Sequence, residues 1–154
     1  MKSLNQWYDE YAVSHQNPIN KSIHYVCVPA IFFSIIGILM SIPNDFLVNN
    51  LKLNQPIIEN WAIVVLIFVM IFYIRLSVVM AAKIAVFALI CLVLNYYISQ
   101  FVSLSIFSIA VFGVAWVGQF YGHSIEGKKP SFLKDLQFLM IGPAWVVQNL
   151  FSKK

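Results

Sequence analysis

The chain has 154 residues and a formal net charge of +4, and it is 60% hydrophobic but only 10% charged. Soluble domains carry about 25% charged residues, and a small domain has a large surface to cover with polar groups. The composition therefore excludes a soluble globular enzyme, a disordered chain and a disulfide-stapled scaffold, and it predicts an all-α integral membrane protein.

The first element in chain order is a short amphipathic helix within residues 1–23. Ser3 is followed three residues later by Gln6, which fits a capping box. Apolar and aromatic residues then recur at helical spacing, namely Leu4, Trp7, Tyr8 and Tyr11. An aromatic face of this kind suits the membrane interface, and docking of the same face on a helical bundle is the alternative.

Four apolar runs follow, and a bilayer needs about 20 residues for a crossing helix. They cover about 24–42, 61–80, 81–98 (or 84–98) and 104–122. No Gly or Pro marks the second connection, so we place it between Arg75 and Lys83, because two cations this close together cannot both lie at mid-membrane. The third connection is expected near residues 99–103.

The stretch 132–151 combines apolar residues with charged and amide side chains, and Gly142-Pro143 interrupts its middle. Because proline removes a helix hydrogen bond, we expect a broken, re-entrant or interfacial helix packed against the bundle. A fifth full span is the alternative. Residues 1–154 are thus predicted to form a single membrane domain, with four transmembrane helices between the amphipathic helix and this broken helix.

The cations predict the orientation in the membrane. With four spans and the N-terminus inside, nine of the ten Lys and Arg residues fall on the inner side, and only Lys52 falls outside. The inner ones are Lys2, Lys21, Arg75, Lys83, Lys128, Lys129, Lys134, Lys153 and Lys154. Cytoplasmic loops carry such an excess, so the N-terminus, the 75–83 connection and the 123–134 loop are expected to face the cytoplasm. We therefore interpret the positive charge as a signal of membrane topology, and we expect no nucleic-acid partner.

The two cysteines, Cys27 and Cys91, lie inside apolar runs, where we expect small buried hydrophobic side chains rather than a disulfide or metal ligands. The sequence has no G-x-S-x-G, no Walker loop, no dinucleotide fingerprint, no H-E-x-x-H and no C-x-x-C. Several large enzyme classes are therefore set aside.

All three histidines are predicted to lie at one membrane face. His24 opens the first span, and His123 closes the fourth. On a continuous helix His15 would lie about 13.5 Å along the axis from His24. Asn17-Pro18, however, is a good N-cap followed by proline at the first helical position. His15 is therefore expected in the preceding turn, from which it can fold back towards His24.

Three further polar residues are placed near the histidines. Asn20 precedes His24 by one helical turn, Gln119 precedes His123 by one turn, and Glu126 follows it. Glycines four residues apart on the fourth span allow close helix approach, at Gly118 and Gly122. Neutral imidazoles suit iron, zinc or copper, and three of them leave coordination positions open. Spacing alone leaves a metal site and hydrogen-bonded interfacial histidines as alternatives.

Two motifs carry a resemblance to a known family. His15-Gln16-Asn17-Pro18-Ile19-Asn20, with His24 and Pro29, resembles H-x-N-P-x-N…H…P. Trp116-Val117-Gly118-Gln119-Phe120-Tyr121-Gly122-His123, with Glu126 and Pro130, resembles W-x-x-Q-F-x-G-H…E…P. On these residues the chain resembles the Mpo-type family of small membrane proteins of the endoplasmic reticulum and of bacteria, whose yeast member is an iron(II)-dependent 2-hydroxy fatty acid dioxygenase of α-oxidation.

The resemblance implies a site and a reaction. The implied Fe(II) ligands are His15, His24 and His123. The implied partners are a 2-hydroxy fatty acid, dioxygen and the lipid bilayer, and cleavage between C1 and C2 would give carbon dioxide and a fatty acid one carbon shorter. Residues expected to orient ligands or to assist the chemistry are Asn20, Gln119 and Glu126. Lys128 or Lys129 could attract the substrate carboxylate.

The location implied is the bacterial inner membrane or the endoplasmic reticulum membrane, with the site at the cytoplasmic face. Two alternatives stay open at this point. One is a haem protein that uses two of the histidines as axial ligands, and the other is a non-catalytic membrane scaffold or lipid-binding protein. The sequence leaves the oligomeric state open.

Overall fold

The computed structural model of the chain describes residues 3–13, 15–127 and 141–148, and every regular element within these ranges is an α-helix. The helices are α1 (Leu4–Ala12), α2 (Pro18–Met40), α3 (Asp45–Leu51), α4 (Trp61–Leu76), α5 (Val78–Ser99), α6 (Leu104–Ile125) and α7 (141–148). The prediction of an all-α protein is confirmed for this part of the chain.

Three of these helices, α2, α5 and α6, are long and apolar enough to cross a membrane. The apolar helix α4 has 16 residues, which makes it about 24 Å long, shorter than a hydrocarbon core of about 30 Å. The predicted second run, 61–80, is divided at Ser77, because α4 ends at Leu76 and α5 begins at Val78. The backbone of Ser77 is extended, and its side chain accepts a hydrogen bond from the Met80 N–H, so that α5 begins at Val78. The fourth span stays a prediction.

The helix boundaries near the N-terminus follow from capping. The Ser3 Oγ accepts from the Gln6 N–H, and the Gln6 Oε1 accepts from the Ser3 N–H at 2.8 Å, so the predicted capping box is confirmed. At the next helix Pro18 is the first residue of α2, and the Asn17 Oδ1 accepts from the Ile19 N–H at 2.8 Å. The predicted break between α1 and α2 is therefore present.

The chain divides into two compact units, Met1–Phe32 with Phe112–Lys154, and Phe33–Val111. The single membrane domain stays a prediction. Most of the stretch 132–151 lies outside the described residues, and its described part, 141–148, is helical with Gly142 and Pro143 near its start.

In the unit Phe33–Val111 a polar cluster holds helices together. Asn95 and Ser108 are fully buried, and the Asn95 Nδ2 donates to the Phe33 carbonyl at 3.1 Å and to the Cys91 carbonyl at 2.9 Å. The Asn95 Oδ1 and the Ser108 Oγ both lie where a Cβ of residue 37 would project. Gly37 thus allows α5 and α6 to bring polar side chains against the α2 backbone.

Gly37→Ala is expected to lower the free energy of unfolding by about 1–3 kcal/mol, because the new methyl group overlaps two buried oxygens that belong to different helices. Gly113→Ala is the matched control on α6, since nothing lies within 4 Å of its Cβ position. The measurement is the unfolding midpoint of each full-length variant in detergent. Equal midpoints for the two variants would contradict the packing described for Gly37.

Both cysteines are free. Cys91 is buried and Cys27 is half-buried, which agrees with the prediction of small apolar side chains rather than a disulfide.

Candidate metal centre

Three histidines converge in the unit formed by residues 1–32 and 112–154. His15 lies in the connection between α1 and α2, His24 on α2, and His123 in the last turn of α6. They are 1%, 1% and 4% exposed, respectively. The ring centroids of His15 and His24 are 4.3 Å apart, and that of His123 lies 5.4 Å from His15 and 5.0 Å from His24.

This arrangement fits a single metal ion. One ligand nitrogen from each histidine lies within 4.8 Å of the other two. Nitrogens bound to one ion at 2.0–2.1 Å are at most about 4.2 Å apart, so small side-chain rotations bring the three into range. The donor set is three imidazoles, which suits zinc, copper or iron and leaves further coordination positions open.

Hydrogen bonds to backbone carbonyls fix which nitrogen faces the centre. The His15 Nδ1 lies 2.6 Å from the Tyr11 carbonyl, and the His24 Nδ1 lies 2.9 Å from the Asn20 carbonyl. A carbonyl oxygen can only accept, so each Nδ1 carries the proton and each Nε2 carries the lone pair. Carbonyl contacts of this kind orient metal-binding imidazoles.

The carboxylate of Glu126 fastens the His15 connection to the end of α6. Its Oε1 accepts from the Gln16 N–H at 2.7 Å, and its Oε2 accepts from the Asn17 N–H and from the Asn20 Nδ2, each at 3.0 Å. Burial raises the pKa of this carboxyl, but the hydrogen bonds from the Asn20 side chain and two backbone N–H groups outweigh burial and hold the pKa below its ordinary value. The group is therefore a charged acceptor at neutral pH.

Two glycines of α6 let this helix touch α2 beside the histidines. A Cβ on Gly118 would lie 2.7 Å from the Cys27 Sγ. A Cβ on Gly122 would overlap the Asn20 Oδ1 and lie 3.5 Å from the His24 Cε1. The Asn20 side chain thus occupies the space that Gly122 leaves, and from there it donates to Glu126.

Gly122→Ala is expected to weaken metal binding by at least about tenfold, because the methyl group overlaps the Asn20 Oδ1 and displaces the Asn20 side chain from Glu126. Gly113→Ala serves as the control on the same helix, where the added methyl group meets nothing. Dissociation constants for a divalent metal, measured by competition with a coloured chelator, give the comparison. Similar constants for both variants would show that Gly122 does not support the centre.

Aromatic rings cover His15 on its other side. The Tyr11 ring stacks on the His15 ring at 4.0 Å with an interplanar angle of 7°. Trp145 of α7 lies 5.0 Å from Tyr11 and 5.8 Å from His15, and it stacks on Tyr25 at 5.6 Å. Neither Tyr11 nor Trp145 is among the site residues predicted from the sequence. The sequence does carry a signal for Tyr11, because this residue precedes His15 by one helical turn.

The residues predicted to assist the histidines fall in the same region. Asn20 and Glu126 contact one another, and the Asn20 carbonyl accepts from His24. Gln119 is buried on α6, one turn before His123, and its role stays a prediction. Lys128 and Lys129, predicted to attract a carboxylate, lie outside the described residues.

The whole chain matches one known protein family. A family model described as "2-hydroxy-palmitic acid dioxygenase Mpo1-like" matches residues 1–154, the whole chain. Searches of curated proteins and of solved structures give no match.

Proposed function

This chain belongs to the Mpo1-like family, and on that premise we propose that it is an iron(II)-dependent dioxygenase of 2-hydroxy fatty acids. The proposed reaction consumes one dioxygen and cleaves the bond between C1 and C2, which gives a fatty acid one carbon shorter, carbon dioxide and water. The observation that carries the proposal is that three buried imidazoles, from the α1–α2 connection, α2 and α6, have ligand atoms within 4.8 Å of one another.

In this proposal His15, His24 and His123 hold the iron. When bound, Fe(II) supplies the redox chemistry that dioxygen requires and a positive charge for the carboxylate and hydroxyl oxygens of the substrate. The Tyr11 and Asn20 carbonyls keep Nδ1 of His15 and His24 protonated, so that each Nε2 is available. Glu126 holds the His15 connection in place through Gln16 and Asn17. Burial of the three rings excludes bulk water.

The proposed location is the cytoplasmic face of a bacterial inner membrane or of the endoplasmic reticulum. Three helices are long and apolar enough to cross, and nine of ten cations support this orientation. His24 lies near the start of α2 and His123 near the end of α6. If α2 and α6 cross in opposite directions, both histidines lie at the same membrane surface, where the carboxylate of a membrane-dissolved fatty acid also lies.

The test is product analysis with the full-length protein in detergent. The protein is loaded anaerobically with Fe(II) and then given 2-hydroxypalmitic acid and air. We expect pentadecanoic acid and carbon dioxide, with palmitic acid unchanged in a parallel reaction. Product that forms equally well after metal removal would refute the proposal, as would none from the loaded protein. An absorption spectrum of the same sample with a Soret band would instead favour haem.

A further inference from the structure

The histidine centre is closed on two sides by contacts that leave no room for a substrate chain. On one side the α6 backbone at Gly118 and Gly122 touches Cys27 and Asn20 of α2, and even a single methyl group would collide there. On another side Glu126 holds the α1–α2 connection through hydrogen bonds of 2.7–3.2 Å to backbone and side-chain donors. A fatty acid that reaches the imidazoles therefore enters elsewhere.

Trp145 closes a third side, and it does so by ring contacts. Its indole lies against His15, Tyr11 and Tyr25 at centroid distances of 5.0–5.8 Å. The backbone of α7 approaches closely at Gly142, whose Cβ position is 3.1 Å from Val28. The closing group on this side is a side chain, which moves by a change of rotamer, whereas the α6 backbone at Gly118 and Gly122 moves only together with its helix.

We propose that Trp145 is the specificity-determining residue of the centre: the acyl chain enters beside its indole ring, which limits the bulk that a substrate can carry next to its hydroxyl-bearing carbon. The inference rests on the proposed function for the identity of the substrate. The closure of His15 by the indole is a property of the protein itself, and it can be measured without turnover.

The first experiment measures access to His15 in the metal-free, full-length protein. Diethyl pyrocarbonate acylates neutral imidazole, and the chain has only three histidines, so peptide mass spectrometry assigns each reaction rate. We expect slow reaction in the wild type, because His15 is 1% exposed. Trp145→Ala is expected to accelerate His15 modification by about tenfold or more, since the closing ring is lost. Trp145→Phe keeps an aromatic ring and is expected to give a smaller rise.

Trp61→Ala is the matched control, because this residue lies on α4 with its indole N–H donated to the Pro43 carbonyl at 2.9 Å. In Trp61→Ala the rate of His15 modification is expected to equal that in the wild type. Should Trp145→Ala fail to fold, Trp145→Phe alone decides the question. Rates at the wild-type level in every folded Trp145 variant would overturn the inference.

The second experiment compares a straight-chain 2-hydroxy acid with one that carries a methyl group on C3. In Trp145→Ala the ratio of kcat/KM for the branched acid to that for the straight acid is expected to rise by about tenfold or more, because one methyl group in a tight pocket has an effect of this size. An unchanged ratio, together with unchanged labelling, refutes the role of Trp145. If the wild type converts neither acid, the proposed function falls, while the labelling rates still decide whether Trp145 closes the centre.

Discussion

Alanine at His15, His24 or His123 is expected to remove bound iron and to bring product formation below detection in each of the three variants. Each histidine offers one ligand atom, and these atoms lie within 4.8 Å of one another. The chain has no other histidine, so no spare imidazole can replace the lost ligand. Two remaining imidazoles bind a divalent ion far more weakly than three do. Metal content per chain and the rate of product formation are the measurements.

Three conservative truncations near the histidines are suitable controls. Val13→Ala precedes His15, Val26→Ala lies on α2, and Ser124→Ala adjoins His123, and all three side chains are exposed. They are expected to keep the metal content and activity of the wild type. A histidine variant that retains a full equivalent of iron would show that its imidazole is not a ligand.

Glu126→Gln is expected to weaken metal binding by about 10–100-fold without abolishing the site. Both carboxylate oxygens accept hydrogen bonds, from Gln16, Asn17 and Asn20. An amide has one acceptor, and its NH₂ group would face N–H donors, so at least one donor loses its partner. The connection that carries His15 then loses part of its attachment to α6. His15 must therefore become ordered when the metal binds, and this cost lowers the affinity.

Glu10→Gln is the matched control, because it also removes one negative charge but lies exposed on α1. Comparing metal dissociation constants for the two variants separates the geometric role of Glu126 from the effect of net charge. If both variants lose affinity equally, long-range electrostatics rather than the attachment of His15 would explain the result.

Much of the local structure could be predicted because capping residues leave a signal in the sequence. Ser3 with Gln6 predicted the start of α1, and Asn17-Pro18 predicted the start of α2 and hence the return of His15 towards His24. The break at Ser77 was placed only within the interval 75–83. Its signal, a serine that caps α5, is a single residue inside a continuous apolar run, where hydropathy does not mark a boundary.

The surroundings of the centre could be predicted only in part. Asn20 and Glu126 were proposed because they share helix faces with His24 and His123. Two of the partners of Glu126 are backbone N–H groups, at Gln16 and Asn17, and backbone donors have no sequence signal. Trp145 was not expected at the centre, because its contacts with Tyr11 and His15 join residues from opposite ends of the chain.

The order of the three histidines along the chain has a consequence for biosynthesis. His15 and His24 are made before α6, whereas His123 and the Glu126 carboxylate that secures His15 are made only when α6 is complete. A nascent chain that lacks α6 has two of the three imidazoles and no Glu126 to order the first of them. If the three histidines bind metal as proposed, metal capture follows the synthesis of α6, and chains truncated before α6 leave the ribosome without metal.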